Sequence, residues 1–82
     1  MTIVENVNLN ATLQITDSDK NVKPVIAINS NLVNGGNNLN VSFTVIDADT
    51  LTNNIVAVQA EMDSFLVALN AKMIEFGYQV KI

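Results

Sequence analysis

Two residue types that carry much of protein chemistry, cysteine and histidine, are missing from this chain of 82 residues. Without cysteine the chain can form no disulfide and has no thiolate nucleophile. Without histidine it lacks the side chain that most often acts as a general base near neutral pH, and structural zinc sites are built from these same two residues. The sequence therefore predicts a protein with no bound metal, no cofactor and no enzymatic activity.

Positive charge is scarce as well. Arginine is absent, and four scattered lysines stand against eight carboxylates, which gives a formal net charge of −4. Nucleic-acid binding needs a cluster of cations facing the phosphates, and binding to an anionic membrane surface needs a similar cluster. The composition therefore predicts neither a nucleic acid nor a membrane as a partner.

Long apolar runs are also lacking. No segment approaches the roughly 20 apolar residues of a membrane-spanning helix. The N-terminal stretch MTIVENVNLN has neither the cationic start nor the continuous apolar core of a secretory signal. The expected location is therefore the cytoplasm.

The length of the chain predicts a single domain over residues 1–82. A domain of this size buries only a limited share of its surface and is marginally stable by itself. Small domains gain stability from disulfides, metals or oligomerisation, and the first two are excluded by composition. A homo-oligomer is therefore the expected state.

Three segments alternate between apolar and polar residues, a period of two that predicts strands with one apolar and one polar face. The first strand is expected from about Ile3 to Thr16 and contains VNLNATLQIT at 7–16. The second is VIAINSNLV at 25–33, which the chain enters at Pro24 because a strand tolerates proline at its start. The third is LNVSFTVID at 39–47.

Two clusters of turn-forming residues, DSDKN at 17–21 and NGGNN at 34–38, separate these strands and predict an antiparallel meander. The first cluster begins like a calcium-binding loop. It departs from that pattern at Val22, where the loop needs glycine, and at Ile28, where it needs a bidentate glutamate. It is therefore interpreted as a hairpin loop. The paired glycines of the second cluster lie between strands with no lysine nearby, which favours a turn over a phosphate-binding loop.

After residue 50 the apolar period changes from two to three or four, which predicts one helix of about 26 residues from Leu51 to Phe76. Asp47 and Asp49 are candidate N-caps together with two nearby threonines, and Gly77 stands where a C-capping glycine is expected. The helical stripe is made of Leu51, Ile55, Val58, Met62, Phe65, Leu69, Met73 and Phe76, widened by Leu66.

The expected fold class is α+β, an antiparallel meander of three to four strands whose apolar face is covered by one long C-terminal helix. Residues 78–82 alternate again and are read as either a short last strand or an extended tail. The four aromatic side chains are expected in the core rather than at a ligand site, with the tyrosine near its rim: Phe43, Phe65, Phe76 and Tyr78.

The dimensions of these elements favour an elongated protomer. A helix of 26 residues is roughly 39 Å long and an unbroken first strand roughly 45 Å. A compact chain of this size has a diameter of only about 30 Å. Either the helix and the first strand bend or break, or the protomer is longer than a compact chain of this size.

A second apolar set, interrupted by Asp63, lies on the predicted helix about 100–180° around the axis from the main stripe. One sheet cannot cover both sides. The set is either a row of good helix formers and tolerated valines on a solvent-exposed face, or a helix–helix contact between protomers that its alanines would let approach closely. The candidate oligomer interface is Val56, Ala60, Val67, Ala71 and Ile74.

Carboxylate pairs are the remaining candidates for catalysis. Glu61 and Asp63 are two residues apart on the predicted helix, so their side chains point about 200° apart. Asp47 and Asp49 adjoin the predicted helix start and are better explained as capping residues. No catalytic residue is assigned.

The chain is short, rich in asparagine and free of cysteine, with one meander and one helix, and in these respects it resembles small uncharacterised phage and prophage proteins. The resemblance is compositional and assigns no functional residue. It implies a role in a virion or in its assembly, with the virion as the location. The expected function is that of a non-enzymatic structural or interaction protein that self-associates. The alternative is a small adaptor or inhibitor that binds another protein through a sheet edge or a helix groove.

Overall fold

The computed structural model describes Met1 and residues 5–82. Three antiparallel strands form one sheet in chain order, and a long C-terminal helix follows them, which confirms the α+β class expected from the sequence. The first two residues of the expected first strand, Ile3 and Val4, lie outside the described residues. The elements are β1 (Asn6–Thr16), β2 (Val22–Val33), β3 (Leu39–Val45), α1 (Ala48–Asn53) and α2 (Ile55–Glu75).

The register between β1 and β2 brings their apolar positions onto one face. Val7 lies opposite Leu32, and Leu13 lies opposite Ile26. Ser30 interrupts this apolar row and is buried, but its hydroxyl donates a hydrogen bond to the Leu9 carbonyl. The buried polar atom is therefore satisfied inside the sheet, as buried hydroxyls generally are.

An irregularity in the register marks the start of β2. Beyond Leu13 the pairing shifts by one residue, and Val25 is the extra residue on the bulged strand. The expectation that Pro24 begins the strand is wrong, because β2 begins at Val22 and the proline lies inside it. A bulge is one of the few places where a strand accepts a residue without an N–H. The bulge also allows Val25 and its neighbour Ile26 both to be buried.

The predicted single helix is broken at Asn54, whose φ of −139° is not helical. The Asn54 side chain donates to the Thr50 carbonyl at 2.9 Å, and its backbone N–H donates to the Leu51 carbonyl at 3.1 Å. Asparagine interrupts helices because its short amide competes for backbone hydrogen bonds. Ile55, a member of the expected inner stripe, is the first residue of α2 directly after the break and is 61% exposed.

Both ends of the helical segment are capped. The Asp47 carboxylate accepts from the Thr50 backbone N–H at 3.0 Å and from the Thr50 hydroxyl at 2.7 Å. At the other end Gly77 has a φ of 92°, its N–H donates to the Ile74 carbonyl, and the Tyr78 N–H donates to the Met73 carbonyl. These two bonds form a Schellman motif, which confirms the predicted C-capping glycine.

The core lies between the sheet and the inner face of α2. Among the described residues the buried apolar side chains are contributed by β1, β2 and α2, and β3 contributes none. The molecule measures 55 × 20 × 18 Å, so the elongated protomer expected from the sequence is present. The buried residues are Leu13, Val25, Ile26, Ile28, Leu32, Val58, Phe65, Leu69 and Met73.

The last described residues form an extended tail rather than a fourth strand. The Tyr78 hydroxyl accepts from the Val33 N–H at 2.9 Å and donates to the Asn38 carbonyl. The Ile82 backbone exchanges two hydrogen bonds with the Asn70 side chain. The tail is thereby fixed to the second hairpin at one end and to α2 at the other. Within residues 5–82, neither helix combines the length and apolar character needed to cross a membrane.

Candidate interaction surfaces

The first candidate surface is the outer stripe of α2, defined as Val56, Ala60, Val67, Ala71 and Ile74. All five residues are exposed, on the side of the helix opposite its buried residues. Val56 is 85% exposed and Val67 is 71% exposed, whereas Ala60 borders an open groove that is also lined by Leu13 of β1 and by Glu61. The five residues that the sequence singled out therefore form one row that the described part of the chain leaves exposed.

The five residues of the outer stripe are uncharged, but Asp63 borders the row between Ala60 and Val67 and interrupts it. On the flank toward β1, Glu61 accepts from the Gln14 backbone N–H at 3.0 Å. On the opposite flank, Asp63 accepts from the Gln59 side chain at 2.8 Å. Lys72 and Glu75 form an exposed ion pair at 3.4 Å. Close approach of a second surface to the stripe would therefore bury part of the Asp63 carboxylate, whose partner is the neutral Gln59 amide.

The spacing within the stripe follows a heptad once Ser64 is included, a residue that the sequence reasoning missed. The steps from Ala60 through Ser64, Val67 and Ala71 to Ile74 are four, three, four and three residues. The Ser64 hydroxyl donates to the Ala60 carbonyl at 3.1 Å, so its polar atom is satisfied within the helix. A heptad of this kind is the pattern by which two helices pack along a common seam, and the spacing itself was the signal that could have revealed Ser64.

The second candidate surface is the free edge of β3 with its half-covered apolar side. The helix lies nearest to β1, at the far side of the sheet from β3. As a result Phe43 is 48% exposed and Val45 is 51% exposed, whereas Ile28, which pairs with Phe43, is buried. The prediction that Phe43 belongs to the core is wrong for this reason. Of the other aromatic residues, Phe65 is buried, and Phe76 and Tyr78 are partly buried against the core.

The two outer edges of the sheet differ. On β1 the Gln14 N–H, which points away from β2, donates a hydrogen bond to the Glu61 carboxylate. On β3 the segment LNVSFTV contains no charged residue and no proline, and its pairing with β2 is regular throughout. Charged residues, prolines and bulges are the usual means by which proteins block an edge strand. The edge of β3 has none of them.

The polar face of the sheet forms a third surface, a shallow cavity of about 280 Å³ lined by side-chain amides and hydroxyls. The Asn31 amide donates to the Asn8 carbonyl oxygen across the strands at 2.8 Å. All of its side chains are neutral, so the cavity has no ion to attract a charged ligand. The lining residues are Asn8, Asn10, Asn29, Ser30, Asn31, Asn40 and Ser42.

The carboxylates considered for chemistry are used in capping and turns. Asp17 accepts from the backbone N–H groups of Asp19 and Asn21, both at 2.9 Å, which confirms residues 17–21 as a hairpin loop. The pKa of Asp47 is held below its ordinary value because its carboxylate accepts hydrogen bonds from the Thr50 N–H and then from the Thr50 hydroxyl. Across Met1 and residues 5–82, no three acidic side chains lie close enough together to hold a metal ion.

The paired glycines serve the packing of the second hairpin against the helix end. Gly35 donates its N–H to the Phe76 carbonyl at 2.9 Å. A Cβ on Gly36 would lie 2.8 Å from the Gly77 carbonyl oxygen, closer than real side chains approach. The turn that the sequence predicted is therefore also a contact that positions the end of α2.

No protein-family model, curated protein or solved structure gives a significant match to this chain. Its function has to be inferred from its own surfaces.

Proposed function

We propose that this protein is a small non-enzymatic structural protein that self-associates through the outer stripe of α2. The observation that carries the proposal is the exposure of this stripe, an apolar row interrupted only at Asp63, on a helix whose opposite face is already buried. A helix with apolar residues on two opposite sides is usually covered by other protein on both of those sides. A second copy supplies the matching row.

Small residues within the stripe support a close contact between helices. Ala60, Ser64 and Ala71 leave room for a facing backbone, and helices that pack through such positions approach to roughly 8 Å. In a two-fold arrangement the same row contributes from each protomer, so each large side chain of one helix finds the same stripe on the other. Val67 lies in the middle of the heptad positions and therefore closest to the two-fold axis.

The biological setting that we propose is a virion or its assembly, because of the compositional resemblance to small phage and prophage proteins. A chain of this size contributes to such a particle by forming repeated contacts rather than by catalysis. Five of its eight carboxylates accept hydrogen bonds or pair with lysine in caps, turns and surface contacts, which supports a non-enzymatic role: Asp17, Asp47, Glu61, Asp63 and Glu75.

An adaptor or inhibitor that binds a different protein is the second candidate. Exposed apolar side chains at the end of β3 and the start of α2 favour it, namely Phe43, Val45, Ile46 and Ile55. Edge strands and grooves beside helices are the two common docking modes for an added peptide. Under this alternative the protein is monomeric in solution and its apolar surface is covered only by the foreign partner.

The experiment that tests self-association replaces Val67 with glutamate and measures solution mass by multi-angle light scattering, with circular dichroism to verify folding. Val22→Glu is the matched control, because it adds the same charge at another exposed valine, at the start of β2. We expect Val67→Glu to reduce the assembly by at least about tenfold in apparent association constant, which corresponds to about 1.4 kcal/mol. We expect Val22→Glu to leave the assembly unchanged. An unchanged mass for a folded Val67→Glu protein would refute the helix contact.

A further inference from the structure

We propose that the free edge of β3 is a second contact between copies, in which β3 pairs antiparallel with β3 of another protomer in a register centred on Ser42. The sheet then continues through two molecules. This contact is separate from the outer stripe of α2 and uses backbone groups rather than a helix seam.

The backbone hydrogen bonds identify which groups of β3 point outward. Ile46 donates its N–H to the Val25 carbonyl at 2.7 Å, so at this position the backbone faces β2. In an antiparallel pair the direction alternates from residue to residue. The residues of β3 that face β2 are therefore Asn40, Ser42 and Thr44, and those whose N–H and C=O groups face away from the sheet are Leu39, Val41, Phe43 and Val45.

The strand is complementary to itself. In a register centred on Ser42, Val41 faces Phe43 of the second copy and Leu39 faces its Val45, and both pairs occur twice by symmetry. These are the four residues whose backbone groups point outward, so each of the four pairs exchanges two hydrogen bonds. A register centred on any other residue of β3 leaves at least one of the four unpaired.

The same register continues the apolar side of the sheet. Phe43 and Val45 are about half exposed in the single chain. Pairing places each of them beside an apolar side chain of the second copy, at the short separation of cross-strand neighbours. The polar residues between them, Asn40 and Thr44, face each other on the other side of the sheet. Apolar meets apolar and polar meets polar along the whole strand.

Charge does not oppose a second copy at this edge. The chain carries a net charge of −4, so two copies repel one another wherever their charged surfaces meet. The segment LNVSFTV carries no charge, which makes it a place where copies can meet without repulsion. The other edge, on β1, is occupied at Gln14 by the acidic side chain of Glu61. β1 also contains no charged residue and no proline, so the occupied N–H of Gln14 is what makes the β1 edge less available than the β3 edge.

Two different self-complementary surfaces on one protomer have a consequence for the assembly. A single two-fold contact stops at a dimer. A helix contact on one side and a strand contact on the other allow each protomer to join two others, so copies can continue into a larger closed ring or an open row. This consequence rests on the proposed function, whereas the strand pairing itself does not.

Amide hydrogen exchange measured by NMR over a dilution series tests the strand pairing without any substitution. We expect the amides of Val41, Phe43 and Val45 to exchange at least about tenfold more slowly in the associated protein than in the dilute protein. The amides of Asn40, Ser42 and Thr44, which bond to β2, are expected to stay protected at all concentrations. If the outward amides stay unprotected in the associated protein, the strand pairing is refuted, whether or not the copies associate through α2.

Substitutions then separate the two contacts. Phe43→Glu is expected to remove the concentration-dependent protection and leave a pair joined through α2, whereas Val67→Glu is expected to keep that protection. The double variant is expected to be monomeric, and Val22→Glu unchanged. If Val67→Glu leaves the mass unaltered while Phe43→Glu reduces it, the helix contact fails and the strand contact stands. If Phe43→Glu folds and keeps both mass and protection, the strand contact fails.

Discussion

The two faces of α2 carry similar residues in opposite surroundings. Leu69 and Met73 on the inner face are fully buried, whereas Val67 and Ile74 on the outer face are 71% and 64% exposed. Apolar composition therefore does not decide which side of this helix meets the sheet. The inner face has the larger side chains and the continuous stripe, whereas the outer face has small residues between its larger ones. One helix therefore has a buried apolar face and an exposed apolar face, and we propose the exposed face as an assembly surface.

The largest expected effect on stability comes from shortening a buried side chain on the inner face of α2. Leu69→Ala should lower the free energy of unfolding by about 2–5 kcal/mol, because Leu69 is completely buried and its removal leaves a cavity. Val67→Ala is the matched variant on the outer face. In protein diluted below its association midpoint it should change the free energy of unfolding by less than about 0.5 kcal/mol. Urea titration followed by circular dichroism measures the free energy of unfolding of both variants. Equal decreases in the two variants would contradict the conclusion that only the inner face stabilises the fold of the single chain.

The next largest effect on stability is expected at the C-terminal end of α2, where Gly77 caps the helix. Gly77→Ala should cost about 1–2 kcal/mol, because Gly77 has a φ of 92° that residues with a Cβ adopt only with strain. The added Cβ would meet Gly35 at an ordinary distance of 3.7 Å, so the cost lies in the backbone angle rather than in a clash. Gln79→Ala in the exposed tail is the control. A Gly77→Ala protein with unchanged thermal stability would contradict the Schellman cap.

A smaller effect is expected at the start of the helical segment. The folded-state pKa of Asp47 is lowered, so its carboxylate adds stability above the unfolded-state pKa of about 3.9 and loses that contribution as pH falls through the folded-state pKa. Wild-type protein should therefore melt above Asp47→Asn at pH 6, and the difference should shrink at pH values below about 4. Asp63→Asn removes the same charge from α2 and serves as the control. A difference in melting temperature that does not change with pH would rule out the charged cap.

The smallest effect expected is that of salt on the assembly. The outer stripe and LNVSFTV are uncharged, while the protomer carries a net charge of −4. Raising the salt concentration from about 0.05 to about 0.5 M screens the repulsion between copies and should leave the association constant unchanged or strengthen it by up to a few fold. Sedimentation velocity at both concentrations measures this change. Weakening by several fold in high salt would point to an ionic contact that neither proposed surface contains.

Most of the fold could be predicted from the sequence because its signals are local. The alternation of Val7 to Ile15 and the turn-forming cluster at 34–38 each depend on neighbouring residues, and Gly77 depends on the helix turn just before it. The break at Asn54 was missed although its cause is also local. The apolar spacing from Leu51 continues across it, and that longer pattern outweighed one asparagine.

The candidate surfaces were predicted less completely. The five residues of the outer stripe follow from helical geometry, since the position of the inner stripe fixes which residues lie on the opposite side of the helix. The free edge of β3 could not be found in this way, because Phe43 has the same alternation as residues that are buried. Its exposure depends on where α2 crosses the sheet, which no pattern in 39–47 records.

The sequence by itself determined the order of strands and helices, the parity of each strand and the two sides of α2, because hydrophobic period and turn chemistry act over a few residues. Tertiary structure alone decided which apolar residues are covered, because a single helix is narrower than a sheet of three strands. Placed nearest β1, α2 buries Ile28 and leaves its cross-strand neighbour Phe43 half exposed. That displacement of one helix across the sheet separates the core of this protein from the surfaces that we propose join its copies.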